Sequence, residues 1–418
     1  MTKTKSQSKT WRKVRLGEFA NINPTVQIQR GKEYPFLDMA DVAPLSRTTN
    51  WQKRKVFKGS GARFEENDTL FARITPCLEN GKITQAQELK SPAFGSTEFY
   101  VLRGKQGISN SDFIHYLSRT FRIRKLAEGS MVGASGRQRV ERAAFENIEV
   151  EVPENLETQK RIADILSAFD DKIELNNKIS KNLEATAQAI FKEWFVNFKF
   201  PGHEKIKMVD SELGKIPEGW EVKKLADIVG LDKGISYKGS GLNKSGMPMI
   251  NLGCFMRGGK FSYDNLKYYS GDYKPRHIAE IGDLLVSNTD ITQEREIIGN
   301  PVIVEEWLGN KKYLFTHHIY ILRPKSDLNK TFLYYLLRQS AFRARVIGAA
   351  AGTNILGLSK EAISSFEIII PPAELVEKFT AMASQILEKI SSIKHENQKL
   401  SALRDLLLPK LMSGEIKI

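Results

Sequence analysis

The strongest constraint on the fold is that the chain repeats itself. Trp11 in "WRKVRLGEFA" and Trp220 in "GWEVKKLADI" each precede a leucine by five residues, Leu16 and Leu225. "ENDTLFARI" (66–74) is echoed by "IGDLLVSNT" (281–289), which pairs Asp68 with Asp283. "FIHYLSRTFRIR" (113–124) is echoed by "FLYYLLRQSAFR" (332–343), and "FENIEVEVP", ending at Pro153, by "ISSFEIIIPP", ending at Pro372. Each match is weak alone. Their common order, with a separation that drifts only from 209 to 219 residues, makes a duplication the economical reading. The second copy opens near residue 214, where the turn-forming Pro217-Glu218-Gly219 leads into Trp220.

Each copy divides in two. The first part, about 11–152 and 215–370, mixes short β-rich runs such as "IEVEV" and "FEIII" with turns. Phe113, Leu117, Phe121 and Leu126 fall at helical spacing within it. The second part is a long apolar stripe. Leu156, Ile162, Leu166, Phe169, Ile173, Ile179, Leu183, Ala187 and Ile190 recur mostly at threes and fours. Phe379, Met382, Ile386, Ile390, Ile393, Asn397, Leu400, Leu403, Leu407 and Leu411 do the same in the second copy. Each stripe predicts a helix of about forty residues, about 60 Å long at 1.5 Å per residue. Such stripes bury themselves against a partner helix, and two in one chain are each other's obvious partner. The bland alternative is that each packs on its own globular part. The predicted class is α+β, with two pseudo-repeated mixed α/β domains joined by two long helices forming an antiparallel coiled coil. An antiparallel pair would put the globular parts at opposite ends. The boundaries are 1–152, 153–200, 201–370 and 371–418, and Pro409 is expected to end or kink the last turn.

Charge bears on the partner. Sixty-three Lys and Arg stand against 49 Asp and Glu, a formal +14, which favours a polyanion over a merely solvated basic surface. No run of eighteen apolar residues predicts a membrane span, and the basic, polar first residues lack the apolar core of a secretory signal. Cys77 and Cys254, far apart, fit a reducing cytoplasm. There is no phosphate-binding Gly-rich loop ending in Lys-Ser or Lys-Thr, and no His-Glu-x-x-His. His317 and His318 are adjacent, so on a strand they would face opposite sides, and no metal is expected. "FKGSG" (57–61) and "YKGSG" (237–241) resemble an S-adenosylmethionine-binding pentapeptide. They lie 180 residues apart, out of register with the repeat, and no Asn-Pro-Pro-Tyr tetrapeptide accompanies them, so they read as turns. Pro-Asp, needed for a paired-carboxylate nuclease, is absent. The expectation is a chain that performs no chemistry of its own.

The segment "VPENLETQKRIADILSAFDDKIELNNKISKNLEATAQAIFKEWFVNF" (152–198) resembles the specificity subunits of type I restriction-modification systems. The likeness lies in Pro153, Leu156 and Gln159 at the helix start, then Ile162, Ala163 and Leu166, then Trp194-Phe195. "MVDSELGKIPEGWEVKKLADI" (208–228) resembles that family's opening of a second half, and the likeness runs from Trp11 to Gly414. In the second copy Lys378 stands where Gln159 stands in the first.

The resemblance implies two target recognition domains, each reading one half of an asymmetric two-part site in double-stranded DNA. It also implies helices that act as spacer and dock two methyltransferase subunits. Those partners would hold S-adenosylmethionine, leaving this chain without a cofactor, and a restriction and translocase subunit would complete the assembly. The helix seam and docking surface would comprise Gln159, Ile162, Leu166, Phe169, Ile173, Leu183 and Ile190. From the second helix would come Phe379, Ile386, Ile390, Ile393, Leu400 and Leu407. Base reading needs Arg, Asn, Gln, Ser or Thr on loops. "GSMVGASGRQRV" (129–140) offers Ser135, Arg137, Gln138 and Arg139, and its counterpart "GAAAGTNILGLS" (348–359) offers Thr353 and Asn354. Arg73, Thr75 and Lys82, and Asn288, Thr289 and Thr292, follow the matched strands and are similar candidates. A self-contained DNA adenine methyltransferase and a coiled-coil scaffold without DNA binding are the alternatives.

Overall fold

The alternating "VEV" and the apolar "III" runs become the closing strand of each copy, and each pairs with the strand that opens it. In the first copy Trp11–Arg15 lies antiparallel to Glu149–Pro153, with Trp11 opposite Pro153. In the second, Glu221–Lys224 lies antiparallel to Glu367–Ile370. These relations come from a computed structural model that describes residues 11–418 apart from Leu45, Asn50, Ser135, Gln293 and 326–328. A one-turn helix follows each opening strand, Leu16–Phe19 and Leu225–Ile228. Glu18 and Asp227 accept the N–H groups of Arg15 and Lys224 at 3.2 and 2.9 Å, so the same capping chemistry shapes both turns.

Two sheets follow in each copy, with matching strand order. In the first copy, Ala20–Ile22, Phe99–Gly104, Thr69–Ala72 and Ile83–Gln85 form an antiparallel sheet. Its partner sheet runs Arg54–Val56, Glu33–Leu37, Ala93–Gly95, Ala62–Phe64, with one parallel pair, Phe36 opposite Phe94. The second copy repeats the first sheet as Val229–Lys233, Ile319–Pro324, Leu284–Ser287 and Pro301–Ile303. Its other sheet gains the short strand Leu242–Asn243 but keeps the parallel pair, Met249 opposite Leu314. Asp68 and Asp283, matched in sequence, do the same work. Each accepts the N–H three residues before it, at 2.8 and 2.9 Å, and each binds an arginine from the neighbouring strand. Arg103 forks Asp68 with two 2.7 Å bonds, and Arg323 reaches Asp283 at 3.2 Å. Asn110 caps the helix Ser111–Arg119, and Asn329 caps Lys330–Leu337.

The long helices are Leu156–Phe195 and Ala373–Met412, forty residues each. Compact units do not follow the linear boundaries. One contains residues 1–179 and 393–418, the other 180–392, so each unit owns half of each helix. In the first unit Ile162, Ala163 and Leu166 share a core with Leu408, Leu411 and Met412, while Asn176 donates to Glu396 and Asn397 at 2.9 and 2.8 Å. Numbers rise on one helix as they fall on the other, so the halves are antiparallel. In the second unit Phe191 and Phe195 pack edge-on against Phe379, with centroids 5.3 and 5.4 Å away. Ile390 and Ile393 are buried, and Phe169, Ile173, Leu183, Ile190, Ile386, Leu400 and Leu407 are half-buried.

The seam departs from expectation at several points, and Leu156, Ile179 and Met382 of the apolar stripes are exposed. Leu403 is exposed and Arg404 is buried beside it, because Arg404 finds an acidic partner in Asp170. Pro409 lies inside the second helix, which continues to Met412. Only three residues follow it, and Leu411 and Met412 are held in the core. Gln159 is wholly enclosed and serves as an internal tie rather than a docking residue. It accepts the Asn110 N–H at 2.9 Å and donates to the Ile108 and Pro153 carbonyls at 3.1 and 2.9 Å. Lys378 in the second copy is exposed and pairs with Glu374.

Asp170 is the centre of a buried polar cluster. It accepts the Tyr116 hydroxyl at 2.7 Å and the Arg119 guanidinium at 3.0 Å, both from Ser111–Arg119, as well as Arg404. Burial, and then the charge of Asp170, push the Tyr116 phenol well above its usual pKa, so its proton stays in place. The second copy uses the same Tyr and Arg positions. Tyr335 and Arg338 both reach Glu184 of the first long helix, at 3.3 Å. Asp170→Ala removes the one carboxylate that the buried guanidinium groups of Arg119 and Arg404 share, and we expect a loss of about 3–5 kcal/mol in urea unfolding of the full chain. A loss below about 1 kcal/mol would be incompatible with this role.

Candidate nucleic-acid interface

The fold brings together stretches that are distant in sequence. In the first unit the Arg73–Thr75 stretch runs antiparallel to 138–140. Val140 N–H donates to the Arg73 carbonyl at 2.8 Å, Ile74 bridges Arg139, and Thr75 N–H donates to the Gln138 carbonyl at 3.0 Å. The Thr75 hydroxyl accepts the Gln138 N–H at 3.1 Å. Gly133, at φ +123°, allows the loop to fold back. A Cβ there would sit 3.2 Å from the Arg137 carbonyl oxygen.

Several cations in this ribbon already have partners. Arg139 forks Glu98 with bonds of 3.0 and 2.7 Å, and Arg73 approaches the same carboxylate at 3.4 Å while lying over the Tyr100 ring. Arg139's hydrogen bonds hold the Glu98 carboxyl below the usual range. Lys82 donates to the Met39 carbonyl at 2.8 Å. Arg137 is different: it is exposed and has no carboxylate partner among the described residues. Ser135 lies outside the described residues. Beside the ribbon, a cleft of about 390 Å³ is lined by Asn23, Thr25, Arg63, Arg73 and Tyr100. Gly61, the last residue of "FKGSG", opens both onto it and onto a second cleft of about 570 Å³ that contains Lys58.

The second unit builds the same ribbon. Leu358 N–H donates to the Asn288 carbonyl at 2.8 Å, and Thr289 and Asp290 pair with Gly357 and Leu356. Ala351 and Gly357 exchange both backbone hydrogen bonds, at 3.0 and 2.8 Å. Gly352 has φ +131°, and a Cβ there would sit 2.1 Å from the Ile355 carbonyl oxygen. Asn288, Thr289 and Thr292 turn inward. Asn288 donates to the His317 carbonyl, and the Thr289 hydroxyl donates to Asn288 Oδ1 and lies 3.0 Å from His318 Nδ1. The Thr292 hydroxyl donates to Asp290 at 2.6 Å. Burial opposes the charge on Asp290, yet Thr292 and the N–H groups of Ile298 and Ile297 hold its carboxyl below the usual range. Thr353 and Asn354 are exposed.

Sequence reasoning missed two exposed apolar residues here, Ile291 and Ile355. The ribbon register explains the omission. Val140 bonded to Arg73 and Leu358 bonded to Asn288 are equivalent pairs, so Arg137 corresponds to Ile355, an offset of 218 rather than 219. A one-residue slip moves every side chain to the opposite face. His317 and His318 also depart from expectation. They occupy a turn rather than a strand, and their rings lie side by side with centroids 3.9 Å apart. Among the described residues no three His, Cys, Asp or Glu side chains converge as a metal site, and no helix is long and apolar enough to cross a membrane.

A sequence profile described as "Type I restriction modification DNA specificity domain" matches residues 8–185 and again 217–402. The chain is 26% identical to the "Type I restriction enzyme MjaIX specificity subunit" of Methanocaldococcus jannaschii, over 96% of this chain and 92% of that one. It is also 26% identical to the "Type I restriction enzyme HindI specificity subunit" of Haemophilus influenzae, over 84% and 87%. Its fold is similar to the crystal structure of a type I restriction-modification system S subunit from M. genitalium, with TM-score 0.54, 15% identity, and coverage of 98% and 97%.

The left-handed glycines supply a local test. Gly352→Ala forces a Cβ into the Ile355 carbonyl, and a cost of about 1–3 kcal/mol is expected. Hydrogen exchange followed by mass spectrometry should show faster exchange confined to 351–357, with 133–140 unchanged. Unaltered protection at 351–357 would mean that the loop does not need the left-handed glycine.

Proposed function

This chain belongs to the type I restriction-modification DNA specificity family and is a specificity subunit rather than an enzyme, and from that premise we propose that each copy reads one half of an asymmetric two-part DNA site. The observation that carries the reading is the twice-built ribbon. One backbone frame presents Arg137 and Gln138 in the first unit and Thr353, Asn354 and Ile355 in the second. Two addresses need that combination: shared geometry to dock alike and different side chains to read different bases. The formal charge of +14 supports the same partner, because each phosphate neutralised releases condensed counterions.

In this reading the two long helices set the unread gap and dock two methyltransferase subunits, which hold S-adenosylmethionine and methylate adenine. A restriction and translocase subunit acts on sites left unmethylated. This chain supplies the address alone. The inward-facing Asn288, Thr289 and Thr292 support the ribbon from behind, which leaves the exposed Arg137, Thr353 and Asn354, with the half-buried Gln138 beside them, as the side chains available to bases.

The reading is tested by a base-resolved map of adenine methylation in cells with and without the gene. One gapped two-part motif should vanish on deletion. Loss of an ungapped motif would overturn the two-module reading in favour of a self-contained methyltransferase, and no loss would remove the specificity role. Arg137→Ala should relax discrimination at a guanine in one half-site by about 1–3 kcal/mol, leaving the other half-site untouched. Equal weakening on every sequence would assign Arg137 to a phosphate.

A further inference from the structure

Ile291 and Ile355 are 64% and 61% exposed, on a ribbon whose neighbouring residues Asp290 and Leu356 are buried. The antiparallel register pairs Thr289 with Gly357 and Asp290 with Leu356, and Ile291 and Ile355 are the residues that flank this last pair, one on each strand. Two solvent-facing isoleucines just beyond the last pair give the end of the ribbon a small apolar tip, and the exposed Thr353 and Asn354 precede Ile355 in the chain. At the equivalent step of the first unit stand Pro76 and Arg137. Where one copy carries a guanidinium, the other carries a branched hydrocarbon.

Resting on the reading of this ribbon as a base-reading element, we infer that Ile355, supported by Ile291, recognises the 5-methyl group of a thymine in the half-site read by the second unit. In the major groove that methyl is the apolar feature that distinguishes an A·T pair, and it is matched by an apolar side chain. Arg137 in the matching position suits the paired acceptors of guanine. The two copies thus differ at one register position by the chemical class of the base feature they read. A protein partner fits the tip less well. Interfaces are anchored by large aromatic or arginine side chains in buried pockets, and this tip offers neither. In the proposed reading Thr353 and Asn354, next to it in the chain, read bases, which puts the tip on the same side as the DNA.

The test uses the full chain assembled with its methyltransferase partners and a duplex carrying the mapped two-part site. Each thymidine of the second half-site is replaced in turn by deoxyuridine, which removes the methyl and leaves the pairing edge intact. At one position the wild-type assembly should lose affinity about fourfold, the change produced by burying a single methyl group. That sensitivity should disappear in Ile355→Ala and shrink in Ile291→Ala. Undiminished discrimination by the first half-site would report that both variants remain folded. Tolerance of deoxyuridine at every position, or undiminished sensitivity in both variants, overturns the inference. So does Ile355→Ala that impairs assembly with the methyltransferase while leaving base discrimination intact, since the tip would then be a protein contact. Any of these results, with a gapped motif still present in the methylation map, leaves the two-module reading standing. Absence of that motif removes both.

Discussion

How the first unit holds its sheets to the helices depends on one carboxylate. Asp170 projects from the first long helix into the gap between the short helix Ser111–Arg119 and the returning second helix, and it ties Tyr116, Arg119 and Arg404 together. Burying this much charge brings no large net stability, because desolvation offsets most of the Coulomb attraction. What it does supply is register. Sliding either helix by one residue would strand at least one guanidinium in a dry interior, whereas a seam of leucines would tolerate the slip. Arg47 extends the same lattice to Asp112 and Asp171, at 3.1 and 2.8 Å, so the β-rich part is locked to the helix by polar contacts on two sides.

The second unit reaches the same end with different materials. Phe191, enclosed by Phe195, Phe332, Tyr335 and Phe379, forms an aromatic knot that packs the short helix against both long helices. Its Tyr-x-x-Arg pair survives as Tyr335 and Arg338, but the acceptor has moved to Glu184. The duplicated frame therefore preserved the donors on the short helix and replaced the carboxylate. Aromatic packing is less strict about register than a buried charge, since ring faces and edges accept a range of angles.

Much of this was legible in the sequence, and the pattern of what was not is instructive. The duplication, the two forty-residue helices and the equivalence of Asp68 with Asp283 all follow from order, spacing and periodicity, which sequence records directly. The Arg404 seam position was not legible. An apolar stripe offers Leu403 as the natural inward residue, and only the three-dimensional neighbourhood of Asp170 makes an arginine the better occupant. Likewise Asn288, Thr289 and Thr292 have the right chemistry for reading bases, but whether a polar side chain points outward or inward depends on partners brought from elsewhere, here His317, His318 and Asp290. The offset between Arg137 and Ile355 was hidden for a third reason. A glycine-rich loop has no periodicity, so nothing in its letters says where one residue was lost.

The pairing of first and last strands has a wider meaning. Each β-rich module opens and closes on two adjacent strands, Trp11–Arg15 beside Glu149–Pro153 and Glu221–Lys224 beside Glu367–Ile370, and the closing strand leads into a long helix. Neighbouring strands lie about 5 Å apart, so the two seams of a module are nearly a single point in space. A module is therefore a cassette: whatever lies between those strands can be exchanged for another of the same frame without lengthening, shortening or redirecting either helix. Inheritance can shuffle such cassettes between chains in one recombination event. New pairs of modules then arise by reassortment, without waiting for a surface to be rebuilt one substitution at a time.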